Sequence, residues 1–347
     1  MRSWWLLALL ASCGYKSPKL PDAAVDTGDA PDAPIDAPLG PCDLPPLTLK
    51  VATLAGCAEA GTTDGPRGRA RFDNPVNVVL SDSGTAYVAG FDSGHIRKVD
   101  ATGTTTTLLT LQRPFGLAFD SAGFLLVETD DDDLGNHTLE SGTIWRVNPA
   151  TAQATVIVRD VGRPRGLAVL PDGRVALADY VHHTLAILDP VAKTVTPLAG
   201  SRDLAGHTNG VGTAARFDQP WDIAYVDGAL YVTEVTNGDI RKVLLDGTVT
   251  DLVAPGSLDQ PQGIAADAAH TLYISEWHGR SVKKLVGTTI TLIAGGTEGY
   301  EDSDTEAAAK FYALEGLDVS PDGSRIVIAD GNHGDMTAYN HVRVINN

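Results

Sequence analysis

One phrase recurs six times along this 347-residue chain: a proline, a short run of small apolar residues, a turn, then a second apolar run that ends in an acid in all copies but the first, where Gly90 stands with Asp92 two residues on. Five copies open at Pro75, Pro114, Pro164, Pro220 and Pro261, and the sixth opens at Leu314. Successive starts lie 39, 50, 56, 41 and 53 residues apart, which is the period of one four-stranded blade in a radial array. Both runs of each copy are apolar at nearly every position. A half-exposed sheet would alternate, so each of these strands is expected to be buried on both faces, as in a blade held between two neighbours.

Third strands follow as Ile96–Val99, Ile144–Val147, Leu185–Leu188, Ile240–Val243, Val282–Leu285 and Val342–Ile345. Fourth strands follow in five units only. The missing strand lies at the front, because Leu47–Gly56 matches Val195–Gly200 and Ile290–Gly295. All three lead into a connector ending in Ala70-Arg71-Phe72, Ala215-Arg216-Phe217 or Ala309-Lys310-Phe311, at 16, 17 and 16 residues from Gly to Phe. The expected fold is therefore all-β: a six-bladed β-propeller over residues 47–347, closed by its N-terminal strand so that no edge stays unpaired at the seam.

Upstream, Trp4–Ala11 is an apolar run far short of the roughly 20 residues that span a bilayer. Placed after Met1-Arg2, it reads as the core of a secretory signal peptide over 1–12. Leu10-Ala11-Ser12-Cys13 resembles a bacterial lipobox, which implies cleavage before Cys13 and acylation of that residue. Several acyl chains together hold a protein on a membrane. Gly14 rather than Asp after the cysteine favours the outer membrane of a Gram-negative bacterium. Residues 13–46, rich in Pro, Asp and Ala, have little bulk to bury and read as a disordered tether. Cys42 and Cys57 remain as an even pair, joined by a disulfide in an oxidising compartment or left as two thiols.

Lys and Arg number 26 against 44 Asp and Glu, a formal net charge of −18. Such a surface repels phosphate backbones, so no nucleic-acid partner is expected. The connector pattern, the acid-terminated second strands and the Ile-Arg-Lys-Val third strands resemble the NHL-repeat six-bladed propellers. That resemblance implies the fold; its members include ligand-binding modules, lyases and relatives of lactonases.

Antiparallel pairing brings the start of each first strand and the end of each second strand to one mouth of the channel. The acids Glu128, Asp179, Glu234, Glu276 and Asp330 are expected there, with Trp277 and His278, as a candidate binding face. Each acid also fits a simpler role, accepting N–H bonds from its own loop. Of the histidines in these loops (His182, His183, His278, His333), His278 alone departs from the repeat's phase. Histidine with carboxylates suits a divalent cation. Candidate ligands are Glu315, Asp330, His278 and His333, with Ca2+ or another divalent cation as the cofactor. Asp130–Asp133 is a second candidate Ca2+ loop. The stretch from Glu315 to Gly323 resembles gluconolactonases, but Glu315 stands where those enzymes have a metal-binding Asn. No Gly-x-Ser-x-Gly, His-Glu-x-x-His or P-loop occurs. The expected function is a non-catalytic, monomeric module on a membrane anchor, binding a protein, peptide or glycan. The alternative is a metal-dependent, lactonase-like hydrolase or a lyase at the channel mouth.

Overall fold

The computed structural model describes residues 42–334 and 339–347. The expected signal peptide, Cys13 and all of the tether before Cys42 lie outside the described residues.

Six antiparallel sheets form the ring. Blade 1 contains β2 (Pro75–Leu80), β3 (Ala86–Gly90), β4 (His95–Val99) and β5 (Thr105–Thr110). Blade 2 contains β6 (Pro114–Phe119), β7 (Leu125–Thr129), β8 (Thr143–Val147) and β9 (Ala154–Val158), and blade 3 contains β10 (Pro164–Val169), β11 (Val175–Asp179), β12 (Thr184–Asp189) and β13 (Thr194–Gly200). Blade 4 has β15 (Pro220–Val226), β16 (Ala229–Glu234), β17 (Asp239–Leu244) and β18 (Thr248–Val253), with a short outer strand β14 (Gly210–Val211) added to β18. Blade 5 comprises β19 (Pro261–Ala266), β20 (Leu272–Glu276), β21 (Ser281–Val286) and β22 (Thr289–Gly295).

The last blade is built from both ends of the folded region. Its order is β1 (Val51–Gly56), β25 (His341–Asn346), β24 (Arg325–Gly331), β23 (Ala313–Val319). Val51 pairs with Ile345 and Gly56 with His341, while Asn346 Nδ2 donates to the carbonyls of Leu47 and Leu49. Every residue of β1 is buried. The first strands of successive blades pack side by side around the axis, and β23 meets β2 to close the circle. Core clusters fill the spaces between adjacent blades, as in the group joining Phe311 and Leu317 of blade 6 to Ala265 and Tyr273 of blade 5.

The proline phrase has a structural cause. In all six first strands the pairing register slips just after the opening residue, as between Pro164 and Gly166 or Pro261 and Ile264. This extra residue is a bulge, which re-aims a side chain and bends the strand. Proline, lacking an N–H, suits the first position. Glycine at the third allows close approach: a Cβ on Gly166 would lie 2.6 Å from Asp222 Cα, and one on Gly263 would lie 2.7 Å from the Glu315 carbonyl.

Cys42 and Cys57 are joined by a disulfide, with Cα atoms 6.1 Å apart. The bond fixes the start of the folded region to the first long connector.

Candidate functional site

The strand-terminal acids are buried and committed to the scaffold. Asp179 Oδ1 accepts from the backbone N–H groups of Arg163, Val181 and His182. Glu234 accepts from the Asp218 N–H (2.6 Å) and Asn237 Nδ2, and it pairs with Arg241 at 2.8 Å. Glu276 accepts from the Asp259 N–H and Lys283 Nζ. Asp330 accepts from the N–H groups of Tyr312 and Ala313 and pairs with Arg343 at 3.1 Å. Burial raises the carboxyls of Asp330 and Glu234, and the adjacent arginines oppose the rise. Each acid thus caps the connector entering its blade, and Glu234, Glu276 and Asp330 also neutralise a third-strand cation. None of the four is presented to solvent as part of an open ring.

Glu128 is out of phase with them. Pairing sets Pro114 opposite Thr129, as Pro164 sits opposite Asp179, so the equivalent position in blade 2 is Thr129. Glu128 falls one residue earlier, on the other face of β7. It is fully buried beside Arg165 (3.8 Å), and desolvation plus the Asp130 charge push its carboxyl well up.

The mouth itself is lined by two sets of side chains just beyond these acids. One set follows the opening residue of each first strand: Val76, Phe115, Arg165, Trp221, Gln262 and Glu315. The bulge turns these positions toward the axis. The second set follows the second strands and includes Phe91, Tyr180 and Trp277. Phe115 of blade 2 meets Trp221 of blade 4 edge-on at 5.7 Å, Trp221 meets Tyr180 at 5.0 Å, and Phe91 meets Phe115 at 6.1 Å. The Arg165 guanidinium lies 4.1 Å from the Phe115 ring and 4.7 Å from Tyr180, held by Asp130 at 2.6 and 3.1 Å. Stacked on aromatic faces and paired with a buried carboxylate, this cation is a fixed, preorganised donor. Phe91, Tyr180, Trp221 and Trp277 remain partly exposed.

The far side of the mouth is more polar. His333 Nδ1 lies 3.0 Å from Glu315, and its ring lies 4.5 Å from Trp277. Gln262 is buried, and among the described residues no donor meets its Oε1 or meets Gln260 Oε1; the buried Trp277 Nε1 has no acceptor there.

The four candidate metal ligands do not converge. Glu315 and His333 meet, whereas Asp330 is engaged by Arg343, and His278 is exposed and pairs with Asp259 at 3.0 Å. His183 Nδ1 accepts from the Gln219 N–H, and His182 sits 2.5 Å from Asp179. The acidic loop is likewise partnered internally: Asp130 by Arg165, Asp131 by His137, Asp132 by Leu134 and Asn136, and Asp133 by Arg159. These contacts fill the coordination that a Ca2+ ion would need.

Beyond the aromatic layer, the first strands enclose a cavity of about 230 Å3 lined by Asn77, Asp222, Asp318 and apolar residues. Asp222 accepts from the Ile264 N–H of the next blade (2.9 Å), and Asp318 from the Leu80 N–H of blade 1 (2.7 Å). With no cation lining the cavity, desolvation pushes Asp222 up to about 7 and Asp318 to about 6. Sequence reasoning missed both carboxylates. It also missed Phe115, Arg165 and Trp221, although each follows a repeat proline.

The NHL repeat matches residues 162–188, which span the opening of blade 3 through most of β12. The chain is a six-bladed β-propeller that carries an NHL repeat in its third blade. Protein SUPPRESSOR OF QUENCHING 1, chloroplastic, of Arabidopsis thaliana is 28% identical over 177 residues, covering 50% of this chain and 14% of that protein. The chain therefore spans only a small part of that curated relative. An auxiliary nutrient binding protein from Bacteroides thetaiotaomicron shares the fold with TM-score 0.65 and 15% identity, over 85% of this propeller chain and 75% of the other. A gluconolactonase from Xanthomonas campestris shares it with TM-score 0.56 and 16% identity, over 85% and 88%.

Proposed function

We propose that the chain is an exported, lipid-anchored binding module that captures a glycan at the aromatic mouth of its propeller. The observation that carries this reading is the layer of Phe91, Tyr180 and Trp221 around Phe115 and the fixed guanidinium of Arg165. Partly exposed ring faces pack on the apolar faces of sugar rings, with the buried polar groups of Arg165, Gln262 and Glu315 close behind them. The strand-ending carboxylates Asp179, Glu234, Glu276 and Asp330 are bound into the scaffold. The shared fold with a protein named for nutrient binding agrees with this use. Anchoring rests on the Leu10-Ala11-Ser12-Cys13 sequence and the tether-like composition after it; Cys13→Ser is expected to release the protein from membranes.

The test is a glycan array followed by calorimetry on the best ligand. Trp221→Ala and Tyr180→Ala should each weaken binding by about tenfold or more, matching the roughly 1–3 kcal/mol expected for a lost aromatic contact. Preferential binding of peptides, or glycan affinity unchanged in both variants, would refute the assignment. A hydrolase reading has one specific observation in its favour, the Glu315–His333 contact beside Trp277. Lactone turnover abolished by Glu315→Gln would establish it.

A further inference from the structure

Blade 4 departs from the other five at one buried position. The closing residue of each second strand, or Asp330 one before the end in blade 6, pairs with the first residue of the third strand. That partner is His95, Thr143, Thr184, Ser281 or His341 in the other blades. In blade 4, Glu234 faces Asp239. Two carboxylates directly opposite one another across a ladder repel, and both are fully buried here.

The connector above them also differs. Gly61, Gly206 and Gly299 are structurally equivalent, each donating to the carbonyl of the connector's terminal Phe. The following residues are Thr62, His207 and Tyr300. In blade 6, Tyr300 stacks on His341 at 4.3 Å. In blade 4, the same two positions hold His207 and Asp239.

His207 Nε2 lies 2.8 Å from Asp239 Oδ2 and 3.3 Å from Asp251 Oδ1. Yet among the described residues no protein donor meets either oxygen of the fully buried Asp239, and Nε2 has no hydrogen bond of acceptable direction. The Asp239 carboxyl abuts that of Glu234, and burial with that neighbouring charge pushes it up to about 8. Ligand atoms about 2.0–2.2 Å from a tetrahedral zinc ion sit about 3.3–3.6 Å apart, close to these separations, and they point at the metal instead of at each other. One donor atom each from His207, Glu234 and Asp239 falls within 4.8 Å of the others. Arg241 pairs with Glu234 at 2.8 Å and Asp251 at 3.0 Å. With all three carboxylates ionised, as metal ligation requires, the single guanidinium leaves two negative charges, which one dication balances.

We propose that His207, Glu234 and Asp239 form a divalent-cation site of the zinc class, with Asp251 at its rim. One imidazole among carboxylates favours Zn2+ over Ca2+ or Mg2+, which take oxygen-only shells. The ion ties the 201–217 connector to the strand pair β16–β17, and the partial exposure of His207 gives it a path from solvent. The site is separate from the channel mouth and does not depend on the glycan assignment.

The test uses the full chain, stripped with chelator and titrated with zinc chloride by calorimetry, with elemental analysis of the dialysed product. One tightly held zinc per chain is expected, with Ca2+ failing to displace it. His207→Gln and Asp239→Asn should each weaken zinc affinity by more than about 100-fold, while His278→Gln leaves it unchanged. Cobalt substitution gives a second readout: visible absorption bands present in the parent and lost in His207→Gln. Should Asp239→Asn misfold, His207→Gln decides alone, since its side chain is on the connector and partly exposed. No stoichiometric zinc, or zinc retained undiminished in His207→Gln, overturns the proposal.

Discussion

Replacing both channel carboxylates, Asp222→Asn with Asp318→Asn, is expected to invert its effect on stability as pH rises. Each aspartate carries a proton in the folded state up to about pH 7 and pH 6 respectively, but only to the ordinary value of 3.8 when unfolded. Between pH 4 and 7 the folded protein therefore binds more protons than the unfolded one, and the parent loses stability as pH rises through that window. At about 1.4 kcal/mol per pKa unit the shifts amount to about 4 and 3 kcal/mol. The cavity opens to solvent, which screens both groups, and roughly half of that sum is expected. Against this gain, each asparagine retains one of the two acceptor oxygens that now meet backbone N–H groups, as at Ile223 and Ile264 for Asp222. One lost hydrogen bond costs about 1 kcal/mol. The double variant should be less stable than the parent by about 2 kcal/mol at pH 4 and more stable by about 1–2 kcal/mol at pH 8. Urea unfolding at unit steps of pH measures both curves, and other titrating groups, such as the buried His341, cancel in the difference. Curves that stay parallel from pH 4 to 8 would refute the reasoning.

Three further outcomes follow from the scaffold. Arg343→Met leaves Asp302 and Asp330 without their buried cation and should cost about 3–5 kcal/mol in a urea titration, with Arg343→Lys recovering only part, since one ammonium cannot reach all the acceptors the guanidinium spans. Cys42→Ser should lower stability by about 3 kcal/mol for a loop of 15 residues, and reductant should bring the parent to the same value. Deleting residues 47–56 removes the buried β1 and strips β25 of its partner; calorimetry should then show no cooperative transition at the parent's temperature.

The ring, its six blades and its closure were legible because they follow from local pattern. Apolar runs of fixed length, the proline at each first strand and the matching Gly-to-Phe connectors are all contiguous in sequence. The site was less legible, for two physical reasons. First, a bulge is a property of pairing. Nothing in Pro164-Arg165-Gly166 announces that Arg165 turns toward the axis and lies against Phe115 and Tyr180. Second, one-residue phase errors are invisible when neighbouring residues are chemically alike. Glu128 looked like the strand-ending acid of blade 2 because it is acidic, but the register makes Thr129 the equivalent of Asp179. The Glu234–Asp239–His207 cluster had a signal that sequence comparison between units could have caught. Asp239 is the only acid among the six residues that open the third strands.

The repeat also explains how one mouth can be chemically lopsided. The acid that ends a second strand and the third-strand arginine or lysine are held by backbone geometry, so they recur, as in Glu234–Arg241, Glu276–Lys283 and Asp330–Arg343. The residue after the opening proline is displaced from the ladder by the bulge and owes nothing to pairing. Its identity varies freely from Val76 to Glu315. Blades 2 to 4 place Phe115, Arg165 and Trp221 at these positions, joined by Phe91 and Tyr180 into an aromatic wall around one guanidinium, whereas blades 5 and 6 place Gln262 and Glu315 there, beside His333 and Trp277. On the glycan reading proposed above, a ligand spanning the axis would meet an apolar face on one side and polar groups on the other, a polarity that would orient a ring-shaped ligand even though the scaffold beneath it is nearly sixfold.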